Sequence, residues 1–280
     1  MNDPLVSVCL ITYNHGRFIK ETIDSVLMQN TSFLFKLIIA DDFSTDGTRE
    51  TILKYKNKYP ELIELILQPK NVGAARNWLD LMNAPKSKYI AYLEGDDYWT
   101  DPYKLQKQVD FLEKNESYVG NFHNVEIRYE ESGKASVLHC RLPGEKDITF
   151  KDLSYVNVIP SCSVVFRGKY LRDMPPWFAA LPLGDWPLHL WNAQYGNFWY
   201  ISHVMGVYRI TSSSTWALQN CKRNIQAVIE TYDKMINGFS YAPVLVSQLK
   251  KARIRYLCRN KYPISKFLYR IIRRIFIRNG

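Results

Sequence analysis

The 280-residue chain predicts an α/β fold: a mostly parallel sheet flanked by helices, followed by a helical C-terminal extension. Three observations carry this expectation. Apolar, β-branched runs alternate with stretches of helical periodicity over the first 115 residues, the connections between them are short, and each run ends in a polar cluster. Continuous apolar runs mark strands buried on both faces. Strict alternation of strand and helix implies parallel strands joined by right-handed crossovers.

Leu5 to Thr12 (LVSVCLIT) is the first predicted strand and Tyr13-Asn14-His15-Gly16 its turn. Arg17 to Gln29 follows as a helix, with Phe18, Ile19, Ile23, Val26 and Leu27 at helical spacing. Lys36 to Ala40 is a second strand ending at Asp41-Asp42; the polar loop Phe43 to Gly47 leads into a helix reaching about Tyr59. Leu62 to Leu67 is the third strand, Asn71-Val72-Gly73 a turn, and Ala74 to Met82 a helix. Tyr89 to Leu93 is the fourth strand, and Pro102 to Asn115 the next helix. Beyond it the pattern changes. Tyr118 to Tyr129 and Lys134 to His139 flank Glu130-Glu131-Ser132-Gly133 as a hairpin, and Ser161 to Arg167 is a further strand-like run.

In open α/β sheets ligands bind beyond the carboxyl ends of the strands. Those ends carry Thr12-Tyr13-Asn14, Asp41-Asp42, Asn71 to Arg76, and Glu94-Gly95-Asp96-Asp97. Three carboxylates in four positions repel one another, and a hard divalent cation such as Mg2+ or Mn2+ relieves that repulsion while taking substrate phosphates as further ligands. The competing reading is a solvated acidic turn, with Thr100 or Asp101 capping the following helix and Pro102 at its first position. Neither G-x-G-x-x-G nor G-x-x-x-x-G-K occurs, so a nucleotide would be held by acids and metal and not by a glycine-rich loop.

Composition narrows the partners. From Lys250 to Gly280 there are eleven Lys or Arg and no acid, which leaves 26 basic against 27 acidic residues in the body. A nucleic-acid enzyme would carry positive charge around its site as well, so nucleic acid is not expected. The five widely spaced cysteines suit a reducing compartment and form no zinc or disulfide pattern. Without a basic leader or a long apolar span, the expected location is cytoplasmic. In the tail, Ile264, Phe267, Leu268, Ile271, Ile272, Ile275 and Phe276 form one helical stripe with cations around it. A basic amphipathic helix fits an anionic membrane surface, which would place the protein on the inner face of the cell membrane through residues 250–280. A helix packed on the body, or one that binds a partner, remains open.

Five of the seven tryptophans, Trp177 to Trp216, fall within forty residues. They form either a satellite core or, through Trp186 and Trp216, a cleft that stacks on an acceptor sugar. Among them stands Asp185, in Leu183-Gly184-Asp185-Trp186-Pro187, either a helix cap or a partly desolvated carboxylate able to act as a base.

Taken together these residues resemble the inverting glycosyltransferases of family 2, of the bacterial surface-polysaccharide type, which have the GT-A fold. Val6-Ser7-Val8 to Thr12-Tyr13-Asn14 resembles the family's first strand and nucleotide-contacting turn. Asp41 to Thr48 is similar to its D-D-x-S-x-D-x-T signature, whose second acid, here Asp42, reads the base. Asn71-Val72-Gly73 with Arg76-Asn77 looks like its donor-side N-x-G…R-N segment. Glu94-Gly95-Asp96-Asp97 stands where the D-x-D metal motif belongs, with Glu for the usual first Asp, and Asp185 matches the catalytic base. Val207-Tyr208-Arg209 resembles the segment that closes over the diphosphate, but Thr211 stands where many relatives have a His.

The resemblance implies residues 1–216 as a glycosyltransferase domain, divided into a nucleotide-sugar half (1–115) and an acceptor half (116–216), with 217–280 as the helical extension. It implies a nucleoside-diphosphate sugar as donor, contacted by Thr12, Tyr13, Asn14, Asp42, Arg76 and Asp96. Mn2+ or Mg2+ would sit on Asp97, Asp96 and Glu94. Asp185 would deprotonate a hydroxyl of a glycan or lipid-linked acceptor, and one displacement would invert the anomeric centre. Two alternatives are a nucleotidyltransferase acting on nucleotide sugars and a non-catalytic, membrane-docked sugar-binding protein.

Overall fold

A computed structural model describes residues 3–140, 142, 144–211 and 221–260. The strands β1 (Val6–Thr12), β2 (Phe35–Asp41), β3 (Ile63–Leu67) and β4 (Tyr89–Glu94) lie in the order β3-β2-β1-β4, all parallel. Helices α1 (Ile19–Leu27), α2 (Thr48–Lys58) and α3 (Ala74–Asn83) make the crossovers. Period-two alternation assigns each strand residue to a face. Val6, Val8 and Leu10 meet α1 and α2 on one side, while Cys9, Ile38 and Ala40 meet Trp78, Leu81 and Met82 of α3 on the other. Burial on both faces explains why these strands read as unbroken apolar runs.

The chain continues through β5 (Tyr98–Trp99), α4 (Lys104–Lys114), β6 (Gly120–Tyr129), β7 (Val137–Leu138), β8 (Lys146–Ile148), α5 (Phe150–Tyr155) and β9 (Val164–Arg167). It then forms α6 (Asp185–Ala193), β10 (Phe198–Ile210), α7 (Cys221–Gly238) and α8 (Pro243–Asn260). β6 and β7 make the expected hairpin. β9 enters antiparallel between β4 and β6, so one sheet runs through both halves of the chain and is mixed beyond β4. The run expected as a strand from Ser161 begins as a 3-10 turn over Ser161–Ser163. β10 pairs in parallel with β6 and antiparallel with β5, and thereby carries Arg209 back to the end of β4.

Of the tryptophan cluster, Trp177, Trp186 and Trp191 belong to the core. Trp186 is 5 % exposed, donates its Nε1–H to the Leu153 carbonyl at 2.8 Å, and meets Tyr232 of α7 edge-on. The expectation that Trp186 lines an acceptor cleft is thus corrected, since its ring face and its only donor are both used internally. Phe239, at the turn after α7, packs against Phe150, Trp177 and Trp191, and the Tyr232 hydroxyl donates to the Ser154 carbonyl. Helices α7 and α8 therefore complete the core on the α3 side of the sheet. Trp216 and residues 261–280, which bear most of the expected membrane segment, lie outside the described residues.

Candidate active site

The site grows from the ends of β1, β2 and β4. Glu94 closes β4, and Gly95 turns the chain so tightly under β1 that an added Cβ would lie 2.5 Å from Thr12 Oγ1 and 2.6 Å from His15 Nδ1. That close approach presses the acidic turn against the turn after β1. Ligand atoms of Glu94, Asp96 and Asp97 all lie within 4.8 Å of one another. Asp97 is 1 % exposed, so the reading of this stretch as a merely solvated turn fails. Its Oδ1 accepts the Arg209 backbone N–H at 2.8 Å, its buried Oδ2 finds no hydrogen-bond partner among the described residues, and the Cys162 thiol also faces the carboxyl.

Electrostatics follow from the crowding. Burial, then Asp96, then Asp185 push the Glu94 carboxyl up to about 8. Burial, then Asp96 and Glu94, hold Asp97 well above the usual carboxylate range. The nearest guanidinium does not neutralise these acids. Arg209 donates from Nε to Glu130 and from Nη2 to Glu21, and its Nη1 goes to the Asp96 carbonyl, so its charge is spent on α1 and the end of β6. Phe18 and Tyr98 cover its faces. Three hard oxygen donors, one of them a poorly satisfied buried carboxylate oxygen, fit Mg2+ or Mn2+.

Asp185 opens α6 at its first helical position, after Gly184 as the N-cap, and its carboxylate accepts from the backbone amides of Asp185 and Trp186 at the helix start. Gly184 sits on Trp78 of α3, which fixes where the helix starts. Asp185 Oδ2 accepts from Asn157 Nδ2 at 3.0 Å, and burial raises its carboxyl above the ordinary range despite the opposing helix amides. Its charge adds to the rise at Glu94, after burial and Asp96.

On the other flank, Asp42 accepts the backbone N–H groups of Val72 and Gly73 at 2.7 and 3.0 Å, tying the end of β2 to the turn before α3. Asn14, at φ 53°, accepts from Thr45 N through its side chain. Asp41 is fully buried against Arg49 and Ser44, which makes it a brace for the loop. Thr12 is buried, Tyr13 is exposed, and Arg76 pairs with Asp80 one turn along α3. His15 is the group that sequence reasoning passed over: its Nδ1 lies 3.1 Å from Thr12 Oγ1 and its Nε2 4.0 Å from Asp96 Oδ2. Asn157, Glu21 and Glu130 were also missed. Their partners are 28, 188 and 79 residues away in the chain, and no local pattern signals them.

Residues 7–172 match the model of glycosyl transferase family 2. An uncharacterised protein of Mycobacterium tuberculosis is 37% identical over 211 residues, covering 75% of this chain and 60% of that protein. The putative teichuronic acid biosynthesis glycosyltransferase TuaG of Bacillus subtilis is 38% identical over 109 residues, 39% of this chain and 42% of that one. The chain thus spans about 60% or less of the length of these relatives. Among solved structures, S. aureus TarS 1-349 in complex with UDP-GlcNAc superposes with a TM-score of 0.67 at 16% identity, covering 93% of this chain and 76% of that one. The mannosyltransferase PcManGT from Pyrobaculum calidifontis, in complex with GDP-Man and Mn2+, gives 0.62 at 14% identity, covering 97% and 79%. These likenesses establish the expected GT-A fold. With the family model matched over more than half its length, the chain belongs to glycosyl transferase family 2.

Proposed function

We propose that this chain transfers a sugar from a nucleoside-diphosphate sugar to a hydroxyl of a glycan or lipid-linked acceptor, with inversion and with a divalent metal. The observation that carries the reading is the convergence of Glu94, Asp96 and Asp97, whose ligand atoms lie within 4.8 Å of one another at the end of β4; the buried Asp185 carboxyl, near enough to raise Glu94, supports it. Glu94, Asp96 and Asp97 would hold Mn2+ or Mg2+, which supplies Lewis-acid stabilisation of the charge developing on the departing diphosphate. Asp42, Asn14, Tyr13 and Thr12 border the loop where the nucleoside would lie, and Arg76 stands at the start of α3 on the same flank. Asp185 takes the acceptor proton; its raised basicity, with Asn157 holding one oxygen, suits that role. A single displacement from the face opposite the diphosphate then inverts the anomeric carbon.

Residues 1–115 would form the donor half and 116–216 the acceptor half, although one sheet runs through both. The basic stretch 250–280 would meet an anionic membrane surface at the inner face of the cell membrane. Its described part, to Asn260, exposes Lys250, Lys251, Arg255 and Arg259 on α8, and none of the described helices is long and apolar enough to cross a membrane. The donor reading is tested with Asp97→Ala, which removes a hard ligand with little change in volume. In calorimetry with Mn2+ the variant loses most nucleoside-diphosphate affinity, as the wild type does in EDTA. Affinity unchanged by both treatments overturns the metal site.

A further inference from the structure

A departing diphosphate needs hydrogen-bond donors as well as a metal, because the carboxylates around it repel it. Among the described residues, the guanidinium that hydrogen-bonds the acidic turn is committed to other partners. Arg209 is held by Glu21, Glu130 and the Asp96 carbonyl. His15 remains. Its side chain is 20% exposed, at the mouth of the site, and packs over Gly95. The carboxylate of Asp96 on the Nε2 side favours the tautomer with its proton there, leaving Nδ1 to accept from the Thr12 hydroxyl. The ring is thereby fixed at one nitrogen and offers an N–H from the other, beside a proposed metal ligand.

Resting on the donor reading above, we propose that His15 Nε2–H donates a hydrogen bond to a phosphate oxygen of the bound nucleoside diphosphate, with Thr12 orienting the ring. The Thr12 hydroxyl then serves the diphosphate indirectly, as a positioning group, and Gly95 is required because any side chain there would displace both partners.

Two substitutions separate this role from a structural one. The side-chain amide of His15→Asn reaches the Nδ1 position and can keep the bond to Thr12, but not the Nε2 position. That of His15→Gln reaches toward Nε2. Calorimetry with Mn2+ and each of UDP, GDP, CDP and dTDP identifies the diphosphate that the wild type binds, and the variants are compared on it. Losing a hydrogen bond to a charged group weakens binding about tenfold to a hundredfold, so the Asn variant should fall by that factor and the Gln variant by about threefold or less. Mn2+ affinity without nucleotide, from electron paramagnetic resonance, and melting temperature should match the wild type in both. Wild-type diphosphate affinity in the Asn variant, equal losses in the two variants, or losses that track metal affinity or melting would overturn the assignment. A wild-type protein that binds none of the four diphosphates overturns the donor reading and this inference with it; normal wild-type binding with unaffected variants overturns this inference alone.

Discussion

At the scale of single residues, burial raises the proton affinity of Glu94, Asp97 and Asp185, and acidic neighbours add to it at Glu94 and Asp97. Glu94 rises from an ordinary 4.5 to about 8, and Asp97 and Asp185 rise as well. A raised acid binds its proton more tightly in the fold than in the unfolded chain. It therefore contributes stability that is fully present below the unfolded value and is lost as pH climbs through the folded one. The window set by Glu94 runs from 4.5 to about 8. Metal-free protein should melt at progressively lower temperature across that window, Glu94→Gln should flatten the fall, and saturating Mn2+ should abolish it. A melting profile that rises or stays level over the same range contradicts this picture of the acids. The three acids were legible in the sequence because they are neighbours in the chain. His15 was not, because its proximity to Asp96 is created by the close approach of two strand ends at Gly95.

At the scale of elements, strands β1 to β4 and their crossover helices were readable from periodicity alone, since each is specified by its own residues. The direction of β9 was not. A short apolar run pairs equally well either way, and only its neighbours β4 and β6 decide. The Arg209 clamp was also hidden, because it joins α1, the end of β6 and the acidic turn from a strand more than a hundred residues later. The sequence resemblance had placed Arg209 in a segment closing over the diphosphate; its side chain is 4% exposed and braces the turn from behind. Arg209→Met should keep much of the apolar packing between Phe18 and Tyr98 while leaving two carboxylates and a carbonyl without their donor. An expected loss of about 2–3 kcal/mol in urea denaturation follows from charge-assisted bonds of this kind. A variant as stable as the wild type would show that the clamp contributes nothing net.

At the scale of the whole molecule, one sheet joins the two halves, and α7 and α8 are built into its core. The aromatic cluster could be read from sequence as core or as cleft because composition gives density without orientation. Trp186, with its indole N–H bound to Leu153, belongs to the core. Leu249 and Ala252 bury the inner face of α8, so the fold is anchored ahead of residues 262–280. Deleting residues 262–280 should leave the melting temperature unchanged but abolish sedimentation with anionic vesicles. The attachment of the full chain should weaken with salt, since surface attraction is screened beyond about 8 Å at physiological ionic strength. Undiminished sedimentation of the truncated chain would place the membrane contact elsewhere, and loss of folding would assign the tail to the body.

The account turns on Asp185 as the base in an inverting transfer, and Asp185→Asn tests it most directly. The substitution preserves shape, a partner for Asn157 and an amide oxygen that can accept from the helix-start N–H groups. Stability and donor affinity should therefore stay at wild-type levels. Transfer, measured as nucleoside diphosphate released in the presence of acceptor, should fall by about 10²–10⁴-fold, the usual contribution of a general base. The wild-type product should carry the anomeric configuration opposite to that of the donor. Transfer by the variant at near wild-type rate, or retention of the donor configuration, would contradict the account.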